Sequence, residues 1–186
     1  EIEGTTMTLH DDMIAMGDRA LAASRELARL SSEAKNAILL AMAAALDDDK
    51  QKLVKANQKD LEEGLKAGLS AAMLDRLRLD DARIAGMTKG LRTVARLSDP
   101  VGAQISRWTR PNGLDIIKRR VPIGVIGIIY ESRPNVTADS AGLCFKTSNA
   151  VILRGGKEAL GSNLAIVNAM IEGGRRKGLP RDAIQF

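Results

Sequence analysis

A chain of 186 residues with 45% hydrophobic and 27% charged residues has the size and make-up of one well-buried globular domain. Aromatics at 2% imply an aliphatic core and remove the stacking platforms that single-stranded nucleic acid needs. The net charge of +5 is scattered, with short clusters only at Lys118–Arg120 and Arg175–Lys177, so it reads as solvated surface. An anionic partner, if there is one, is then a small phosphate-bearing ligand and not nucleic acid. Cys144 and His10 are each alone of their kind, which excludes an intramolecular disulfide, a histidine-based metal site and a Ser-His-Asp triad. No signal peptide and no apolar run of bilayer length is present, so the expectation is a cytoplasmic protein without membrane association. Met7 is a plausible native start, and residues 1–6 are set aside from the fold argument.

The first hundred residues read as amphipathic helices. Between Met7 and Leu30, Ile14, Leu21 and Ala28 recur at helical spacing. Ser31-Ser32 offers a cap for a helix whose stripe is Ile38, Met42, Ala45 and Leu46, and Asp47-Asp48-Asp49 interrupts it. A more polar helix follows through Leu53, Leu61 and Leu65, with Gly64 and Gly68 marking its stop. The next, capped near Asp80, carries Ile84, Met87, Leu91 and Val94 on one face. At Asp99-Pro100-Val101-Gly102 the periodicity changes. Two extended stretches, Gln104–Arg110 and Leu114–Val121, flank the turn signal Pro111-Asn112-Gly113 and predict a hairpin.

The apolar, β-branched run from Val121 to Tyr130 reads as a strand buried on both faces of a parallel sheet. Glu131–Asn135 forms a polar turn into a helix ending near Asn149, and Ala150–Leu153 is a second buried strand. A turn at Arg154–Lys157 then leads to a helix with Leu160, Leu164, Val167 and Ile171 on one face. Gly178-Leu179-Pro180 ends that helix, and Asp182–Phe186 starts a third strand. The order β-α-β-α-β is a Rossmann-type half. A three-stranded sheet that stops there leaves an open apolar edge, so the expectation is a piece of a longer polypeptide.

Ligands of such sheets sit outside the carboxyl ends of the strands. In the turn Arg154-Gly155-Gly156-Lys157 the glycines admit close approach of a phosphate, a following helix N-terminus favours an anion, and two cations flank it. That set suits a dinucleotide with a 2′-phosphate, although a Gly-Gly turn with surface cations is the plain alternative. In the other turn, Pro134 suits the first helical position and Asn135 could aim an amide at developing negative charge; a mere helix start is the plain alternative. Cys144, mid-helix among apolar residues, reads as a buried structural thiol.

The string VPIGVIGIIYESRPNVT from Val121 to Thr137 closely resembles the signature of gamma-glutamyl phosphate reductases, as does KTSNAVILRGGKE from Lys146 to Glu158. Leu30–Asn36, Gly68–Leu77 and Asp99–Gly102 match as well, in the family's order across nearly the whole chain; Ser148 departs from the glycine more usual there. The resemblance implies an α/β, aldehyde-dehydrogenase-like fold. Its parts would be a helical N-terminal segment (7–98), a β-hairpin oligomerisation arm (99–121) and an incomplete Rossmann-type NADP-binding portion (122–186). It further implies NADPH-dependent reduction of L-glutamyl 5-phosphate to L-glutamate 5-semialdehyde in proline biosynthesis. The reaction would run through a cysteine thioester in a catalytic domain beyond Phe186, so that this portion alone is inactive. Asn135 would be the oxyanion-hole residue, and Glu131, Ser132, Arg154, Gly155, Gly156 and Lys157 would bind cofactor. A homo-oligomer and association with glutamate 5-kinase belong to the same picture. Another NAD(P)-dependent aldehyde dehydrogenase and a non-catalytic nucleotide-binding module are the alternatives.

Overall fold

The computed structural model describes residues 8–186; Met7, expected as the native start, lies outside the described residues. Helix α1 (Leu9–Leu27) opens at Thr8 in a capping box with Asp11. Helix α2 (Ser32–Asp48) is capped by Ser31, whose side chain accepts from Ala34 N–H at 3.2 Å, and α3 (Lys50–Lys66) follows after Asp49. Ser70 caps the short α4 (Ala71–Leu77), and Asp80 caps α5 (Asp81–Arg96), accepting from Arg83 N–H at 2.9 Å. On α2 the expected stripe of Ile38, Met42, Ala45 and Leu46 is buried, and each large member contributes about 1.5–3 kcal/mol. On α1 the expectation is corrected. Ile14 and Leu21 are exposed, and the buried face consists of Ala20, Ala23, Ser24 and Leu27.

Strands β1 (Gln104–Thr109) and β2 (Asp115–Arg119) form the hairpin, turning at Gly113, whose φ of +85° suits only glycine well. A second, parallel sheet has the order β3 (Val125–Ile129), β4 (Ala150–Arg154), β5 (Ile184–Gln185), with α6 (Pro134–Lys146) and α7 (Leu160–Arg175) as crossovers. Helix α1 lies across all three strands, whereas α6 and α7 pack on the sheet and against α2, so the core spans both halves of the chain. The doubly buried reading of the first parallel strand is corrected. Among the described residues β3 lies at the edge of the sheet beside the central β4, its residues are half-buried or exposed, and Ile129 at its carboxyl end is 88% exposed. The face expected for the last helix is also displaced. Leu160 and Leu164 are exposed, while Ile166, Val167, Met170, Gly173 and Gly174 are buried against α2 and the core.

Buried polar groups tie the layers together. Lys35 of α2, 1% exposed, forms an ion pair with Asp99 and donates to Ser148 Oγ at 3.0 Å, and Ser32 donates to Asp99 at 2.8 Å. Lys146 donates to Asn36 Oδ1 at 2.6 Å and to the Ala95 carbonyl at 3.0 Å. Ser148 ends α6 in the left-handed region at φ +59°, which explains why a glycine suits this position and what the serine adds in return. Ser148→Ala keeps the unfavourable backbone and loses the Lys35 partner, so a loss of about 1–2 kcal/mol is expected. Ser148→Gly loses the same bond but relieves the backbone, and should recover about 1 kcal/mol of that deficit. Thermal unfolding of the two variants beside the parent checks the order; glycine falling below alanine contradicts it.

Candidate functional site

β3 and β4 run in parallel register from Val125 opposite Ala150 to Ile129 opposite Arg154, so they end level. Tyr130 N–H still donates to the Arg154 carbonyl at 3.1 Å, and the two loops leave the same sheet edge side by side. They touch at once. Ser132 Oγ donates to Glu158 Oε2 at 2.7 Å, and a β-carbon on Gly156 would stand 2.4 Å from Ser132 Oγ and 2.8 Å from Glu158 Oε2. Any side chain at Gly156 therefore closes the gap between the loops, and bare backbone faces outward there. The Glu158 carboxyl is held below the usual range by its own backbone N–H, then by the Ser132 hydroxyl, with Lys157 and Arg154 adding attraction. Helix α4 supplies the opposite wall: a cleft of about 370 Å³ is lined by Met73, Arg76, Glu131, Ser132, Gly156 and Glu158.

The anticipated helix N-terminus at the glycine turn is corrected in one respect. A three-residue 3-10 turn (Lys157–Ala159) intervenes, and α7 begins only at Leu160. Its first N–H groups are already taken: Asp60 of α3 accepts from Gly161 N–H at 3.2 Å, Ser162 N–H at 2.7 Å and the Ser162 hydroxyl at 2.5 Å. An internal carboxylate thus occupies the place the helix dipole would offer a phosphate. Lys157 turns to a separate groove of about 540 Å³ with Lys52, Lys55 and Lys59, and Arg154 folds its guanidinium onto the Gly155 carbonyl. Asn135, second residue of α6, is exposed and donates from Nδ2 to Asp139 Oδ2 at 3.3 Å, in a notch of about 250 Å³ shared with Arg83, Gly86 and Met87 of α5. Burial pushes the Asp139 carboxyl up, and the Asn135 amide opposes that shift.

No family model matches the chain. The gamma-glutamyl phosphate reductase of Caldanaerobacter subterraneus subsp. tengcongensis is 54% identical over 168 residues, 90% of this chain and 41% of the relative. The crystal structure of the Thermotoga maritima gamma-glutamyl phosphate reductase superposes with a TM-score of 0.92 at 40% identity, covering 95% of this chain and 42% of the other. The chain belongs to the gamma-glutamyl phosphate reductase family. It spans less than half the length of these relatives. An NAD-dependent benzaldehyde dehydrogenase from Corynebacterium glutamicum shares the fold alone, with a TM-score of 0.73 at 20% identity over 93% of this chain. The fold is therefore aldehyde-dehydrogenase-like, as the family resemblance implied.

Against that family background, Glu131, Ser132 and Gly156 line one cleft, Arg154 and Gly155 directly precede Gly156 in the chain, and Lys157 and Asn135 line two other depressions. The sequence reading passed over Glu158, although it follows Lys157 directly and carries the contact between the loops. It also passed over Arg76, whose 3.8 Å approach to Glu131 depends on a short helix with a weak signal of its own. Thr137 and Asn163, both fully buried, were missed because polar residues on otherwise apolar helices show no partner in sequence.

Proposed function

We propose that this chain forms the cofactor crevice and an oxyanion contact of a cytoplasmic enzyme of proline biosynthesis, which reduces L-glutamyl 5-phosphate to L-glutamate 5-semialdehyde and releases phosphate. The observation that carries this reading is the meeting of the two strand-end loops at Ser132, Gly156 and Glu158, in a chain of this family. The residues fit a phosphorylated dinucleotide. Gly156 presents backbone without a side chain, and Arg154, exposed at the strand end, can leave the Gly155 carbonyl for a phosphate. Ser132 and Glu158 would hold ribose hydroxyls, and Lys157 would add a cation at the rim. When bound, NADPH supplies the hydride that reduces the acyl carbon.

The nucleophilic cysteine of this chemistry is supplied by sequence outside these residues. Cys144 is 6% exposed within α6, and burial pushes its thiol up, the reverse of activation. Asn135 would donate to the oxygen that gains negative charge as the acyl group is attacked. The hairpin exposes Ile105, Trp108 and Leu114, the composition of an arm that joins a second subunit, and glutamate 5-kinase would supply the acyl phosphate. The test is the reverse reaction of a full-length protein with glutamate semialdehyde and NADP: NADPH formation should require inorganic phosphate. Formation without phosphate would instead support an ordinary aldehyde dehydrogenase. In the same protein, Arg154→Ala should weaken NADPH binding about tenfold and NADH binding much less, since one charge-assisted phosphate bond contributes roughly 1.5–3 kcal/mol. Equal losses would remove Arg154 from the 2′-phosphate.

A further inference from the structure

Beneath the crevice a polar ladder runs from the end of β3 through α6 to α7. Tyr130, at the end of β3, lies 2.7 Å by its hydroxyl from Thr137 Oγ1 on α6, and Thr137 Oγ1 donates to Asn163 Oδ1 on α7 at 2.9 Å. Thr137 has one hydroxyl proton and gives it to Asn163, so Tyr130 must be the donor to Thr137. The direction is fixed: Tyr130 to Thr137 to Asn163. Burial pushes the Tyr130 phenol up, which keeps it protonated and donating. Thr137 and Asn163 are both fully buried. The ladder ends on an orphan, because Asn163 Nδ2 has no hydrogen-bond partner among the described residues. A buried amide without a partner is rare and costly, and it needs an explanation.

The explanation lies in what the amide touches. A β-carbon on Gly155 would stand 2.2 Å from Asn163 Nδ2, 3.3 Å from its Cγ and 3.2 Å from Tyr130 Cζ. The Asn163 amide thus fills the space under Gly155 and sets how deep the loop after β4 can sink. Through Thr137 and Tyr130 the same ladder grips the other loop. We infer that Asn163 is a positioning residue: together with Thr137 it fixes the separation of the Tyr130–Ser132 and Gly155–Gly156 loops, and thereby the affinity of the crevice for a phosphorylated dinucleotide. This rests on the cofactor reading given above. Asn163 itself touches no ligand. Its amide supports the Gly155 peptide from behind, and its unpartnered N–H group is the cost of keeping that space filled by a side chain held in one orientation.

The experiment uses a full-length reductase carrying this sequence, with NADPH binding followed by nicotinamide fluorescence and unfolding followed without cofactor. Asn163→Leu, which keeps the branching of the side chain but is bulkier and lacks the amide, and Thr137→Val, without the hydroxyl, should each weaken NADPH binding about tenfold, the scale of one lost buried hydrogen-bond partner. KM for NADPH should rise while kcat stays within about threefold, as for lost ground-state binding. Thr137→Ser, which restores the hydroxyl, should bind like the parent. Gly155→Ala should weaken binding at least as much through its clash. Adding Asn163→Ala to that variant should restore most of the affinity, because the new methyl group takes the space of the lost amide. If the parent binds NADPH but Asn163→Leu and Thr137→Val keep its affinity and lower only the unfolding temperature, the ladder is mere packing and the inference fails. If the parent itself does not bind NADPH, the cofactor reading fails first and this inference with it.

Discussion

Asn135→Ala in a full-length reductase carrying this sequence is expected to lower kcat about 10²–10³-fold, the usual effect of losing one donor to a developing oxyanion. The expectation rests on how α6 begins. Pro134 occupies the first helical turn, so Asn135 stands at the carboxyl end of the sheet with its side chain exposed. One of its two amide hydrogens goes to Asp139 Oδ2, one turn along the same helix, and the exposed side chain keeps a second hydrogen to donate. The 3.3 Å bond orients the amide without consuming it. Affinity for NADPH should stay within about twofold, since Asn135 lies in the notch beside α5 and not in the cleft of Ser132 and Gly156. Single-turnover rates with glutamate semialdehyde, NADP and phosphate, beside direct NADPH titration, separate the two effects. A kcat within threefold of the parent in a normally folded variant would falsify the oxyanion role.

The fold was largely legible where one residue type has one local use. Ser31 and Asp80 are caps that bond the backbone three residues on, Gly113 turns the hairpin, and two apolar β-branched runs followed by polar turns fixed which strand ends carry loops. What was not legible depends on partners distant in sequence. Large apolar residues drew attention to Ile14 and Leu21 on α1, but close approach to the strands selects the small face of Ala20, Ala23 and Ser24. The same applies to α7, where a β-carbon on Gly173 would meet the Ala41 carbonyl of α2 at 2.5 Å. A glycine that permits two helices to touch looks, in sequence, like a weak helix position. Asp60 occupies the α7 N-terminus from about a hundred residues away, so a helix end that reads as open to an anion is closed by the protein itself. The meeting of Ser132 with Glu158 and the ladder to Asn163 have the same origin. They come from the level ends of two strands, which only the register reveals.

Asp99→Ala is expected to destabilise the protein by about 3–5 kcal/mol, because it leaves the Lys35 ammonium buried without a counter-charge. Asp99 does more than neutralise. It accepts from Ser32 at 2.8 Å and from Val101 N–H at 3.0 Å, and so holds the chain entering the hairpin against α2. Burial alone would raise its carboxyl; the hydrogen bonds from Lys35, Val101 and Ser32 outweigh that and hold it below the usual carboxylate range. A folded-state pKa lower than the unfolded one means that the stabilisation is complete above the unfolded value of about 3.9 and is lost as pH falls below it. Asp99→Asn should therefore lower the unfolding temperature at pH 7 and flatten the decline of stability as pH falls below about 4. The double variant Lys35→Met with Asp99→Asn removes the orphaned charge as well, and should lose less than Asp99→Asn alone, a non-additivity of about 1–3 kcal/mol. Additive losses would mean that Lys35 already finds solvent, and that the hairpin is held by the Ser32 and Val101 bonds without help from the buried pair.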